Sequence, residues 1–269
     1  MRAFLFILIT TILASCSNYQ QVLKKGTPEE KYEAAKKFYN KKEFMKAQPL
    51  FEELLGVYFG RTEREEIYYY FCYTHYALGD YLLANYHFKN FAQTYALSNK
   101  REEAIYMAAV CDYHRSMPKE LDQTPTKNAI NSLQSFINQY PNSEYVADCN
   151  TKMDELRKRI LEKVYSNVKL YYNLGEYKSA IVACANALED YPDMINREEL
   201  AFIIIESNYL YAKNSIEKMQ EERYKNTLAA IKNYSAEFVN KGEFNNQVKK
   251  INENTTKELG KFLPENQLK

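Results

Sequence analysis

The chain has 269 residues, of which 36 are basic and 35 acidic, so its formal net charge is +1. This balance gives no electrostatic basis for binding DNA or RNA, and nucleic acid is not expected as a partner. Glycine and proline are scarce at 7 each, and Asn-Gly and Asp-Gly turns are absent, which favours an all-α fold over a β-sheet fold.

The first residues have the pattern of a secretory leader. A short, positively charged start precedes the apolar run Phe4–Leu13, which is too short to span a bilayer. The run ends in Leu13-Ala14-Ser15-Cys16, which resembles the bacterial lipobox. We therefore predict a lipoprotein signal peptide over 1–15, lipidation of Cys16 and a lipidated linker over 16–26. The alternative is an ordinary secretory signal followed by an incidental cysteine.

The residue after Cys16 indicates where such a lipoprotein is sent. It is Ser17 rather than aspartate, which favours the outer membrane by resemblance to the proteobacterial sorting rule. Several acyl chains on one cysteine hold a protein stably on a membrane, where one chain is marginal. We expect an outer-membrane protein, held by its lipid anchor and facing the periplasm.

A short phrase recurs along the chain and predicts helical hairpins. Each copy follows a tyrosine-rich amphipathic stretch and opens a second one, with a turn, an aromatic residue and an alanine three residues on. The small alanine lets two helices approach closely, and hairpins repeated at about 34 to 40 residues must stack to bury their apolar faces. The copies are Lys42-Glu43-Phe44-Met45-Lys46-Ala47, Gly79-Asp80-Tyr81-Leu82-Leu83-Ala84 and Gly175-Glu176-Tyr177-Lys178-Ser179-Ala180.

The repeats predict an α-solenoid of about five tetratricopeptide-like hairpins over 27–240, followed by a C-terminal capping helix and tail over 241–269. In the degenerate fifth unit Thr227 replaces the inner alanine. The units are Pro28–Phe59, Glu65–Ala96, a third from Arg101 with an insertion at Met117–Thr126, a fourth whose lead-in Glu144–Asn173 is one long helix or two short ones, and a fifth at Arg197–Val239.

Few patterns suggest chemistry. Cys72/His75 and Cys111/His114 are both C-x-x-H, which invites a zinc interpretation. The two pairs fall at different positions of the repeat, so convergence on one metal is not expected. Pairs of acidic residues at helix N-termini are interpreted as interacting favourably with the helix dipole rather than as catalytic groups. With no Gly-rich phosphate loop or nucleophile motif, we predict a non-enzyme without metal or cofactor.

Four cysteines besides Cys16 lie in the middle of predicted helices. We interpret Cys72, Cys111, Cys149 and Cys184 as buried apolar residues. An even number in an oxidising compartment leaves a disulfide among them open.

Tyrosine is abundant, at 25 residues, and the first two units carry several on their first helices. In stacked hairpins these helices line the concave surface, and tyrosine suits an interface because it offers a wide ring and a hydroxyl at low entropic cost. We predict a groove for an extended peptide; alternatively, the rings pack between repeats. The residues are Tyr32, Tyr39, Tyr69, Tyr73 and Tyr76.

Three segments resemble the family of outer-membrane protein assembly factor BamD, namely Phe136–Tyr145, Tyr171–Tyr177 and Leu188–Asp193. The resemblance implies a non-catalytic scaffold lipoprotein of the β-barrel assembly complex. Its implied partners are a BamA-like insertase, unfolded outer-membrane β-barrel proteins and other assembly lipoproteins. The alternative is a generic periplasmic repeat lipoprotein that scaffolds cell-wall, division or secretion proteins.

Overall fold

The computed structural model describes residues 19–238 and 242–262, so the predicted signal peptide and Cys16 lie outside the described ranges. Within those ranges the protein is all-α, with no strand. A short helical segment at 19–25 lies within the predicted linker. The longer helices are α1 (Pro28–Asn40), α2 (Phe44–Val57), α3 (Arg64–Ala77), α4 (Tyr81–Thr94), α5 (Arg101–His114), α6 (Thr124–Gln139), α7 (Val146–Asn173), α8 (Tyr177–Asp190), α9 (Arg197–Lys213), α10 (Glu217–Glu237) and α11 (Asn245–Gly260).

The helices follow one another in pairs, as the repeats predict. Hairpins 1 to 5 are α1/α2, α3/α4, α5/α6, α7/α8 and α9/α10; we call the first helix of each the A helix and the second the B helix. Helix α11 packs against α9 and α10 as a cap. The predicted tetratricopeptide-like solenoid with a C-terminal capping helix is therefore confirmed.

The chain forms two compact units, Met1–Arg157 and Lys158–Lys269, and the boundary falls within α7. The lead-in to the fourth hairpin is thus a single helix of 28 residues rather than two short ones. Its first part packs in the first unit, where Leu156 is fully buried. Its second part packs in the second unit, where Val168 shares a cluster with Cys184 of α8.

The first hairpin begins with a capping box. The Glu30 amide donates to Thr27 Oγ1 at 3.2 Å, and the Thr27 amide donates to Glu30 Oε2 at 2.9 Å. Pro28 occupies the first helical position, where its missing N–H costs nothing. Such a cap is typically worth about 1 kcal/mol.

Hairpins 1, 2 and 4 share one turn geometry. The residue after the C-cap has a left-handed backbone, with φ of 60° at Lys42, 81° at Gly79 and 75° at Gly175. Two amides then bond back into the last turn of the A helix; in hairpin 2 these are Gly79 to Tyr76 at 3.0 Å and Asp80 to His75 at 3.0 Å. This is the Schellman motif, which ends the A helix and reverses the chain. Only hairpin 1 makes the turn with a side-chain-bearing residue in the left-handed region.

The inner alanine of the recurring phrase is buried in each copy. Ala47, Ala84 and Ala180 have no exposed surface. Thr227 at the corresponding position of hairpin 5 is also fully buried, and its hydroxyl donates to the Arg223 carbonyl at 3.1 Å. The threonine therefore satisfies its polar group within its own helix, and the fifth hairpin closes despite its degenerate sequence.

All four cysteines of the described ranges are buried and unpaired, so the interpretation as apolar core residues is confirmed. Burial raises the pKa of the Cys111 and Cys184 thiols to about 12 and that of Cys149 to about 11. It also raises the pKa of Cys72 well above its ordinary value. Thiols in this state carry almost no thiolate at neutral pH and are poor nucleophiles.

Candidate functional site

Helices α3, α5 and α9 each begin with Arg-Glu-Glu, and the side chain of the arginine caps the C-terminus of the preceding B helix. Each guanidinium donates to a carbonyl nine residues earlier, in the last turns of that helix. The bonds are Arg64 to Leu55 O at 3.1 Å, Arg101 to Ala92 O at 3.2 Å and Arg197 to Leu188 O at 3.1 Å. These arginines satisfy carbonyls that a helix end leaves free.

The second glutamate of the motif in α5 and α9 accepts a hydrogen bond from a tyrosine. The sequence predicts only an interaction of these acid pairs with the helix dipole and does not predict this bond. Glu103 accepts a hydrogen bond from the Tyr73 hydroxyl, and Glu199 accepts one from Tyr165 at 2.7 Å. In both cases a tyrosine of one A helix is tied to the first turn of the next A helix. Tyr106 makes the corresponding bond to Asp148 at 2.6 Å. Hydrogen bonds to a charged acceptor are among the stronger ones in proteins, at about 1.5–3 kcal/mol.

We call this set, with the bonds Tyr113 to Glu155 and Tyr172 to Glu206, the tyrosine–carboxylate pairs. Burial, reinforced by the carboxylate, raises the pKa of Tyr73, Tyr106 and Tyr172 above the ordinary value and that of Tyr165 to about 12. These hydroxyls therefore stay protonated and act as donors at physiological pH.

Three of the five tyrosines predicted for the groove come together in the first unit. Tyr39 of α1 meets Tyr70 of α3 edge-on at 5.0 Å between ring centroids, Tyr70 lies 6.4 Å from Tyr69, and Tyr69 lies 4.9 Å from Tyr73. All four rings are half-buried against the core of the first two hairpins. They form a continuous aromatic strip across α1 and α3, which we call the tyrosine strip.

The other two predicted groove residues lie outside that strip. Lys36 covers the Tyr32 ring at 4.3 Å, and the buried Tyr32 hydroxyl makes no hydrogen bond to any described residue. Its pKa is raised by burial and then by nearby Glu66. Tyr76 is engaged at the end of α3, where its hydroxyl lies 3.0 Å from His114 Nε2.

Sequence reasoning missed two residues at the strip. Tyr70 joins the two helices, and Lys100 places its ammonium 4.6 Å from the Tyr69 ring centroid. The run Tyr68-Tyr69-Tyr70 signalled an aromatic cluster, but only packing decides which of three adjacent rings faces which neighbour. Tyr69 has its pKa raised by burial and then by Glu103, so its hydroxyl is neutral.

The histidines of the two C-x-x-H pairs have different surroundings. His75 stacks on His87 with centroids 5.1 Å apart, and His114 stacks on Tyr81 at 4.6 Å. No group of three or more His, Cys, Asp or Glu side chains suited to a metal ion occurs within 19–238 and 242–262.

The second unit has a cavity of its own, of about 580 Å³, between α8, α9 and α10. Small residues such as Ala185, Ala229 and Ala230 line it, together with Asn226 and Asn233. The small side chains leave room in the cavity for a protruding side chain of a partner protein.

Among the helices that the structure describes, none is long and apolar enough to cross a membrane.

Comparison with known proteins identifies the family. Over 135 residues the chain is 24% identical to outer membrane protein assembly factor BamD of Caulobacter vibrioides, a match that covers 50% of this chain and 44% of the relative. It is 33% identical over 97 residues to BamD of Xylella fastidiosa, covering 36% of this chain and 32% of that relative. The chain thus matches less than half the length of either protein.

A solved structure described as the TPR2AB-domain:pHSP90-complex of yeast Sti1 resembles the chain with a TM-score of 0.40 and 13% identity, covering 85% of this chain and 98% of that one. The model of the YfiO family, described as outer membrane lipoprotein, matches residues 24–238, which is most of the chain. The protein therefore belongs to the YfiO family of outer membrane lipoproteins.

Proposed function

We propose that the protein is a non-catalytic scaffold of the outer-membrane β-barrel assembly complex. The observation that carries the proposal is the YfiO family match across all five hairpins. Two relatives named outer membrane protein assembly factor support it. In this proposal Cys16 is acylated, the lipid holds the protein on the outer membrane, and the hairpins face the periplasm.

The proposed partners are a BamA-like insertase, unfolded β-barrel proteins and other lipoproteins of the complex. Affinity purification of the tagged, lipidated protein from gently solubilised membranes tests this. We expect a BamA-like barrel protein at near-equal stoichiometry. Capture of cell-wall, division or secretion proteins in its place would overturn the assembly role and leave the fold unaffected.

We propose the tyrosine strip as the site for an extended substrate segment. Half-buried rings offer apolar area already fixed by packing, so binding pays little side-chain entropy. The hydroxyls of Tyr69 and Tyr73 lie around Glu103, so the contact surface is mainly the ring faces. An extended, apolar segment with an aromatic end fits such a surface.

A peptide ending in an aromatic residue, labelled for fluorescence anisotropy, tests the strip. Tyr39→Ala and Tyr69→Ala should each weaken binding several-fold. Tyr86→Ala is the matched control, since Tyr86 is 58% exposed on α4 and lies outside the strip. Melting curves show whether each variant is folded. Equal affinities for the three folded variants would overturn the proposed site.

We propose the cavity of the second unit as the insertase contact. Ala229→Arg places a long side chain in the cavity from an exposed position of α10. It should abolish capture of the insertase and leave the peptide affinity unchanged. Glu222→Arg adds the same side chain on the same helix outside the cavity and should have no effect. Retained capture by Ala229→Arg would exclude this surface.

A further inference from the structure

Apolar side chains are exposed at the turns of hairpins 1 and 2. Met45 is 80% exposed, Leu82 62% and Leu83 48%. Met45 lines a depression of about 320 Å³ together with Leu78 of the neighbouring hairpin. Single exposed apolar residues are ordinary, but adjoining ones on two successive hairpins indicate a contact surface. We call these four residues the turn edge.

The hairpin itself does not require this apolar character. Hairpin 4 makes the same Schellman turn, and there Lys178 and Ser179 occupy the positions of Leu82 and Leu83. Both are exposed polar residues directly before the buried Ala180. The inner face of the B helix is therefore kept in both hairpins, and only the outward residues differ. The turn geometry alone therefore does not account for the two leucines.

The N-terminal end of the described chain lies at the same turn. The Tyr19 ring meets Phe38, near the end of α1, edge-on at 5.4 Å between centroids. The ammonium of Lys46, the residue after Met45, lies 5.4 Å from the centroid of the same Phe38 ring. The segment at 19–25 therefore runs back along hairpin 1 and brings its first residue to the turn edge.

Chain length then limits how far the proposed anchor is from this surface. Cys16 precedes Tyr19 by three residues, and three residues of fully extended chain span about 10 Å. If Cys16 is acylated, as the proposed function requires, the lipid surface lies within about that distance of Tyr19. Lys41 and Lys42 are exposed in the adjoining turn, and basic residues there suit anionic headgroups.

We propose that the turn edge of hairpins 1 and 2 rests on the membrane surface beside the acyl anchor. Met45, Leu82 and Leu83 enter the interfacial region, while Lys41 and Lys42 contact anionic headgroups. The anchor and the edge together give two attachments, which orient the first unit on the bilayer as well as tethering it. This inference rests on the acylation of Cys16 in the proposed function and adds the surface that meets the lipid.

The sequence contains no tryptophan, so one introduced residue serves as a sole reporter. Full-length, lipidated Leu82→Trp is reconstituted in vesicles of phosphatidylethanolamine and phosphatidylglycerol with brominated acyl chains. We expect blue-shifted emission and at least twofold quenching relative to unbrominated vesicles. Leu97→Trp is the matched control: Leu97 is fully exposed beyond the far end of α4, whose 14 residues span about 20 Å. Its emission should remain that of water-exposed tryptophan.

Flotation of the vesicles separates the hypothesis of the acyl anchor at Cys16 from the hypothesis that the turn edge contacts the membrane. A variant that floats with the vesicles, with quenching at position 82 and none at 97, supports the proposal, because no other protein is present to cover the edge. Flotation without quenching at 82, or with equal quenching at both positions, overturns the proposal and leaves the anchor standing. Failure to float overturns the anchor and the edge together. Capture of the insertase by the same preparations reports separately on the assembly role.

Discussion

The stacked pair His75 and His87 makes the first unit sensitive to acid. His75 is only 3% exposed, and neither of its ring nitrogens has a hydrogen-bond partner among the described residues. Its Nδ1 lies 3.7 Å from the Asp80 carboxylate, too far for a hydrogen bond. Tyr68 lies against the other ring, with its hydroxyl 3.3 Å from His87 Nδ1. Both rings are held in the neutral form.

Burial lowers the pKa of both imidazoles, and for His87 the proximity of His75 lowers it further, to about 4. Asp80 and Glu52 act in the opposite direction on His75 but do not offset burial. The unfolded chain binds a proton below pH 6.5, whereas folded His87 resists protonation until about pH 4. The contribution of neutral His87 to the free energy of unfolding is therefore fully present above pH 6.5 and is lost as the pH falls towards 4.

At pH 5, where most carboxylates are still ionised, the full His87 shift corresponds to at most about 2 kcal/mol. Solvent screening reduces the expected loss of unfolding free energy between pH 7 and pH 5 to about 1 kcal/mol. Urea titrations followed by circular dichroism at both pH values measure this loss.

His87→Phe should remove most of the loss, because phenylalanine keeps a ring at that position and cannot bind a proton. His114→Phe is the matched control: His114 is exposed and stacks on Tyr81, and its substitution should leave most of the loss in place. An identical pH dependence for wild type and His87→Phe would refute the assignment of acid sensitivity to the histidine pair.

Four further outcomes test the fold and the anchor. Ala180→Glu buries a charge where two helices touch and should cost at least about 3 kcal/mol; a wild-type melting curve would contradict the repeat register. Lys42→Gly relieves the left-handed backbone at φ 60° and should stabilise the protein by up to about 1 kcal/mol in urea titrations, whereas a loss would show that the lysine side chain matters more. Tyr106→Phe removes one donor to Asp148, which keeps its hydrogen bonds from Lys152, and should cost about 1 kcal/mol by the same assay, with no change in the helical circular dichroism signal. Cys16→Ala should move the protein from the membrane fraction to the soluble fraction on cell fractionation, and retention in the membrane would contradict acylation.

Much of the fold could be predicted because the repeat pattern is local. The turn, the aromatic residue and the inner alanine occur within a few residues of one another, and the alanine positions are buried as expected. The length of α7 could not be predicted, since its amphipathic pattern continues through the boundary at Arg157 and Lys158 and nothing in the sequence marks a stop or its absence.

The site was harder to predict because its contacts join residues far apart in sequence. Tyr73 and Glu103 are 30 residues apart, and no local pattern links them. Placing tyrosines on the A helices located three of the four rings of the tyrosine strip but not Tyr70, which joins the two helices. Deciding that Tyr32 and Tyr76 lie outside it required the packing of Lys36 and His114 around them.

The tyrosine–carboxylate pairs also bear on how each unit unfolds. The pairs stabilise only the interface between successive hairpins. An isolated hairpin would therefore gain no stabilisation from them. In a one-dimensional Ising description this corresponds to weak intrinsic terms and strong nearest-neighbour coupling. Strong coupling makes the ends of such an array slow to fray. The hairpins that the pairs join are then expected to melt together, with little population of states in which hairpin 5 alone has come loose.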